Sequence, residues 1–278
     1  MGGLSGLSGL RGLSGLTAKP VVASGEDAIV TDWVSRTVTA GGSVSSSTRT
    51  ILDTFVKGLK ADGIWTKMSA GFILPLASNA FAGCLTPLII PASRVITNSN
   101  FVSADYSLGT GLDPGAANGS KLLTSTILLS DLMTQTNAQV SAYQNLYRNS
   151  PAYTFFAGAT RFGTPRLVFH ATWSDGVYYW DCFDQGSGRL SRSNGGTGGL
   201  TSGSRISASA SAIYRNGSVS ASNSGSSSGF PGSSSLEMLF EDRSRYTYFY
   251  AGPALSASEE ALHYARVQTM QTAFGRQV

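Results

Sequence analysis

"AIYRNGSVSAS", residues 212 to 222, sets an Asn-Gly pair between two short polar-apolar runs. Asn-Gly is the pair that most readily supplies positive φ at both central positions of a two-residue turn, so the flanks read as a β-hairpin. The device recurs in "WSDGVYYW", Trp173 to Trp180, where Asp175-Gly176 separates aromatic residues. Working outward from these turns, short runs rich in β-branched and aromatic residues predict strands at Arg94–Thr97, Lys121–Thr126, Gln139–Tyr147, Tyr153–Gly158, Arg166–Trp173 and Gly176–Phe183. Further strands are predicted at Arg189–Ser193, Ser204–Tyr214, Ser218–Ala221, Leu236–Glu241 and Thr247–Tyr250. So many strands, punctuated by Gly, Asn, Asp and Ser, argue for an antiparallel sandwich or jelly roll.

Two helical patterns flank this β region. In "SSTRTILDTFVKGLKADGIW", Ile51, Leu52, Phe55, Val56 and Leu59 form one apolar stripe, with Ser47 or Thr48 as N-cap and Gly63 just past the end. The following "FILPLASNAFAGCLTPLI" reads as either helix or short strands, and Pro75 excludes one continuous helix. At the other end, Ser256 and Glu259 make a capping box ahead of "EALHYARVQTMQTAF". Apolar positions on two flanks of that helix predict that it lies in a groove, with Gly275 ending it.

Composition narrows the function. Of 278 residues, 41% are hydrophobic, enough for a sizeable core, whereas only 13% are charged, about half the usual share. A neutral Ser/Thr/Gly/Asn surface suits subunit packing or uncharged ligands. The net charge of +4 is dispersed, which argues against nucleic acid as a partner. Cys84 and Cys182 stand far apart in apolar surroundings and read as buried thiols. His170 and His263 have no ligand spacing, so neither zinc nor any other cofactor is expected. The apolar runs are too short to span a membrane, and the start lacks the pattern of a secretory signal.

Three stretches together resemble a family of bacteriophage virion proteins with a concanavalin A-like, laminin-G-like jelly roll. They are "ILDTFVKGLKADGIWTKMSAGFILPLAS", "NFVSADYSLGTGLDPGAANGSKLLTS", and "AIYRNGSVSASNSG" followed by "YAGPALSASEEALHYARVQTMQTAFGRQV". The resemblance spans Ser47 to Val278. It implies a structural protein of the virion, associated with tail, baseplate, neck or capsid, with other virion proteins as partners and no transferable catalytic signature. The expected organisation is an extended arm and linker at 1–46, a helical lead-in at 47–92, and a concanavalin A-like sandwich with its C-terminal helix at 93–278. Within the first region only Ile29–Thr39, carrying Trp33, looks orderable, as an extended segment.

The arm lies outside the resemblance. "GLSGLSGLRGLSGLT", Gly3 to Thr17, repeats glycine every third residue and places Leu4, Leu7, Leu10, Leu13 and Leu16 in register. This period suits a three-residue-per-turn extended helix in which chains approach along the glycine row, or an arm lying across a neighbour. Burying each leucine contributes roughly 1.5–3 kcal/mol, and ordering each backbone residue costs about 1–2 kcal/mol. The leucines alone do not order the arm, so intermolecular backbone hydrogen bonds are required. A homotrimer is the preferred stoichiometry.

Candidate chemistry is sparse. Glu237 and Glu241 fall on one strand face, but Leu239 stands where a hydrolase pair would have a tuning Asp, and Arg243 and Arg245 balance the two acids. Asp113 and Asp184 are isolated loop acids, weak candidates for calcium. No enzymatic activity is expected. The alternative function is a receptor-binding lectin for host surface glycans, with Trp173, Asp175, Tyr178 and Trp180 as candidate sugar contacts. Strand alternation places Tyr178 and Trp180 on one face and Trp173 and Tyr179 on the other unless the turn resets parity, so one set belongs to the core.

Overall fold

A computed structural model describes residues 25–115, 121–148, 155–159, 165–172, 175–183, 188–193, 198–240 and 244–278. Its strands form two antiparallel sheets packed face to face. The first contains β1 (Phe72–Leu74), β3 (Tyr106–Ser107), β4 (Gly111–Leu112), β6 (Ala138–Leu146), β11 (Gly199–Ser207), β12 (Ala210–Arg215), β13 (Ser218–Asn223) and β15 (Arg245–Gly252). Its order is β13-β12-β11-β6-β15-β4-β3, with β1 also paired to β15. The second contains β2 (Ile96–Ser99), β5 (Lys121–Leu128), β7 (Phe155–Ala159), β8 (Leu167–Thr172), β9 (Val177–Cys182), β10 (Leu190–Ser193) and β14 (Ser235–Phe240), in the order β10-β9-β8-β7-β14-β5-β2. The chain is a mainly β sandwich, as its turn signals predict.

Alternation along the strands builds the inter-sheet core. Leu236, Met238 and Phe240 of β14 point inward, as do Tyr178, Trp180 and Cys182 of β9, to meet Val140, Ala142, Ile213, Tyr246 and Phe249 of the facing sheet. The predicted Asn-Gly hairpin joins β12 to β13, with φ of 49° at Asn216 and 76° at Gly217. The run Ser204–Tyr214, expected as one strand, is instead two strands, β11 and β12, folded back at Ala208 and Ser209. Of the usual turn residues "SASA" carries only serine, with Ser207 Oγ accepting from Ser209 N at 3.3 Å. Arg205, itself fully buried, donates from Nη1 to the carbonyls of Ala208 and Gly225, 2.9 and 3.0 Å away, and pins the bend from inside.

Helices form a third layer, on the outward face of the first sheet. These are α1 (Ala28–Thr39), α2 (Ser46–Ala61) and α6 (Ala257–Ala273), with the short turn α3 (Trp65–Met68) beside α2, and two further short turns, α4 (Phe81–Cys84) and α5 (Leu129–Leu132). The segment expected to be extended around Trp33 is α1. Asp27 caps it through Ile29 N at 3.1 Å, and Val30, Trp33 and Thr37 fall at helical spacing on its buried side. Trp33 donates its indole N–H to Thr86 O at 3.0 Å. α2 begins slightly earlier than expected, capped by Ser45 rather than Ser47 or Thr48. Gly63 takes φ of 77° just beyond its end, as predicted. The ambiguous stretch after it resolves into β1 and α4, split by Pro75.

α6 has the predicted capping box and ends before Gly275, which takes φ of 69°. It packs on two sides. Val267 and Met270 join Leu52 and Phe55 of α2 with Tyr143, Leu200 and Tyr248 of the sheet in a second apolar cluster.

Candidate functional site

Among the predicted sugar contacts, Trp173 lies outside the described residues. Asp175 is exposed at the hairpin turn, its Oδ1 accepting from Val177 N at 2.9 Å. Tyr178 and Trp180 are 3% and 0% exposed and face the inter-sheet core. Trp180 lies directly over Gly203 and donates to Ser211 Oγ at 3.1 Å. These two rings are therefore core packing and offer no stacking surface to a ligand. The outward partner is Tyr179, whose alternation the sequence already contains.

Tyr179 heads a polar row on the outside of the second sheet. Its hydroxyl donates to Asp175 Oδ2 at 2.6 Å, and that bond, with burial, raises its phenol above the usual range. The Arg189 guanidinium lies 4.9 Å from the Tyr179 ring centroid and grips Asp181 through Nε and Nη2 at 2.6 and 2.7 Å. Asp181, with no exposed surface, also accepts from Arg166. His170 is buried beside Tyr179 in register. The carboxylate between two arginines uses its lone pairs internally, so the inner part of the row holds the sheet together. Asp175 and the Tyr179 edge remain at the surface.

The remaining candidates are also engaged or apart. Glu237 stands on β14 between Thr124 and Gly158, while Glu241 and Asp184 lie outside the described residues. Burial works against ionisation of Asp113, but Arg148 at 2.6 and 2.9 Å and Gly115 N at 2.9 Å outweigh it and hold its carboxyl below the ordinary value. His263 belongs to a buried network under α6. Its Nδ1 lies 3.1 Å from Glu260 Oε2 and its Nε2 3.0 Å from the Tyr248 hydroxyl, while Ser202 and Gln139 both donate to Glu260. Cys84 and Cys182 are buried free thiols, and burial raises Cys182 to about 12.

One concavity was not singled out by the sequence. On the outward face of the first sheet, α6 covers Ser202 but not Ser204, two residues further along β11. There β11, β12 and β13 leave an open cleft of about 350 Å³. Ile206, Ala212 and Val219 supply its apolar surface, and Ser204, Tyr214 and Ser222 its hydroxyls. No charged side chain among the described residues lines it. The Ser204 hydroxyl is wholly buried and has no hydrogen-bond partner among the described residues. Serines are so common in this chain that no pattern marks this one.

No family model matches the chain, and no curated protein matches it. Solved structures are similar at low identity. A mutant of Trypanosoma rangeli sialidase displaying trans-sialidase activity aligns with 80% of this chain at 9% identity and a TM-score of 0.47. The chain spans 39% of that sialidase's length. A botulinum neurotoxin type C structure, of a toxin whose cell entry depends on two ganglioside molecules, aligns over 72% of this chain and 52% of its own at 9% identity and a TM-score of 0.47. Domain 4 of AbnA, an extracellular arabinanase from Geobacillus stearothermophilus in complex with arabinotriose, aligns over 70% and 97% at 13% identity and a TM-score of 0.39. The likeness is one of general β architecture.

Proposed function

We propose that this chain is a non-catalytic structural component of a bacteriophage particle, attached through its N-terminal arm and presenting the sandwich away from the attachment. The supporting observation is where the arm joins the body. Gly25 O accepts from Lys57 Nζ at 2.7 Å, Glu26 is clamped by Arg49, and Asp27 pairs with Lys60. Three successive residues are thus fastened to α2, in the helix layer. The outward face of β8, β9 and β10, with Asp175 and Tyr179, lies on the far side of both sheets. An arm bearing Leu4, Leu7, Leu10, Leu13 and Leu16 can then join copies into a trimer, or grip other virion proteins, without obstructing that face.

Removing residues 1–24 tests this reading. The truncated protein is expected to melt as the full chain does, to lose oligomeric mass by light scattering, and to fail to enter particles. Unchanged incorporation would overturn it. A second reading, recognition of host surface glycans, is favoured by the uncharged cleft beside Ser204 and by Asp175 at the exposed turn. A glycan array with the full chain separates the two, since a purely structural component has no saccharide preference.

A further inference from the structure

We propose that the cleft formed by β11, β12 and β13 is a binding site for a neutral pyranoside. This inference rests on the glycan-recognition reading and assigns it to a place other than the aromatic hairpin. Three observations converge. The cleft is exposed because the helix layer stops short of it: Glu260 accepts from Ser202, while Ser204 on the same strand face receives no such cover. Its surface divides into apolar side chains, Ile206, Ala212 and Val219, and hydroxyls, Ser204, Tyr214 and Ser222. A sugar ring has the matching division, with C–H faces for the former and hydroxyls that both donate and accept for the latter.

The third observation is the orphan hydroxyl. Ser204 is 1% exposed and its Oγ finds no partner among the described residues, although burying a polar group without a hydrogen bond is costly. A sugar hydroxyl in the cleft reaches it once the side chains lying over it move aside, and would then satisfy it. Charge argues for a neutral ligand. With no charged residue among the described residues lining the cleft, a carboxylate or phosphate would lose solvation without gaining a counter-ion from them. The size lies within the range of small-molecule sites, which span roughly 300–1,000 Å³.

The test is amide chemical-shift mapping of the full chain with methyl α-D-glucopyranoside and methyl β-D-galactopyranoside, with N-acetylneuraminic acid as the anionic comparison. At least one neutral glycoside is expected to shift residues 204–222, and the acid is not. Ser204→Ala should weaken binding about tenfold, as loss of one buried hydrogen bond does, without lowering the melting temperature. Ser222→Trp, at an exposed position, should block the cleft in a folded protein. Shifts confined to the Asp175-Gly176 turn and insensitive to both variants would overturn the cleft and leave glycan recognition standing. An equal response to the acid would overturn the neutral class. Concentration-dependent loss of the cleft signals without sugar, the mark of a second copy covering it, would overturn the site. No shift with any probe would also overturn it, and array binding by the same protein would then decide the recognition reading separately.

Discussion

Arg266 of α6 and Asp62 at the end of α2 form a two-pronged ion pair, Nε to Oδ2 at 2.6 Å and Nη2 to Oδ1 at 2.7 Å. The arginine stem crosses α2 at Gly58, where a Cβ would stand 2.7 Å from Arg266 Cδ. The pair fastens the last helix to the helix that follows the arm, and it makes the helix layer sensitive to acid.

The hydrogen bond from Arg266 holds Asp62 below its ordinary value, and Arg49 does the same for Glu26. A carboxyl whose folded value lies below its unfolded value contributes stability above the unfolded value, about 4. That contribution is lost as pH falls through the lower, folded value. Melting temperature should therefore be flat from neutral pH down to about 5 on account of these groups, then fall. Asp62→Asn should shallow the acid limb and cost no more than about 1 kcal/mol at pH 7, because the arginine is partly exposed. Melts across pH for both proteins check this, and an unchanged limb would refute the assignment.

Glu260 is the keystone of the interface between α6 and the sheet. Glu260→Ala leaves Ser202 and Gln139 donors stranded beneath the helix and His263 without its carboxylate. A loss of roughly 3–5 kcal/mol in urea unfolding is expected, against a smaller loss for Glu260→Gln, which retains one acceptor oxygen. Equal effects would show that packing, not hydrogen bonding, governs the site.

Gly203 carries no side chain because Trp180 occupies the space. A Cβ there would meet the indole at 2.3 to 2.8 Å from its ring atoms. Gly203→Ala should displace Trp180, break its bond to Ser211, and cost roughly 1–3 kcal/mol by overpacking. The readout is a shift in tryptophan emission together with a lowered melting temperature.

Cys84 and Cys182 are each no more than 1% exposed, and burial pushes both thiols up from their ordinary value. Neither should react with a thiol reagent in the native protein at pH 8, and both should react on unfolding. Labelling in step with the loss of circular dichroism is expected. Rapid labelling of folded protein would contradict the packing.

The parts of this fold that were legible in the sequence are those whose signals are local. Asn216-Gly217 specifies its own turn geometry, and Ser256 with Glu259 specifies a helix start, whatever lies elsewhere. The Asp175-Gly176 pair marked a real hairpin but not its register, since His170 pairs with Tyr179 and the connection is longer than two residues. Parity along β9 separated Tyr178 and Trp180 from Tyr179, but which set faces the core depends on the sheet opposite. α1 escaped because its Trp33 and valines are as much at home in a strand, and only contacts with distant Thr86 and α2 decide between the two. The bend after Ser207 is held by Arg205 reaching Ala208 and Gly225, and its serines, common throughout the chain, do not single it out. The Ser204 cleft exists because α6 ends its coverage one strand position too early, a fact about docking that strand composition does not encode.

β1 lies within the segment that precedes the strand-rich region, yet it pairs with β15 through Phe72–Ala251, Ile73–Tyr250 and Leu74–Phe249. A protein cut at the start of the strand-rich region would leave that side of β15 with open backbone donors and acceptors between aromatic side chains. Such an edge is a template for foreign strands. The trimmed sandwich would then be prone to polymerise edge to edge, and a soluble preparation should retain the residues from α1 onward.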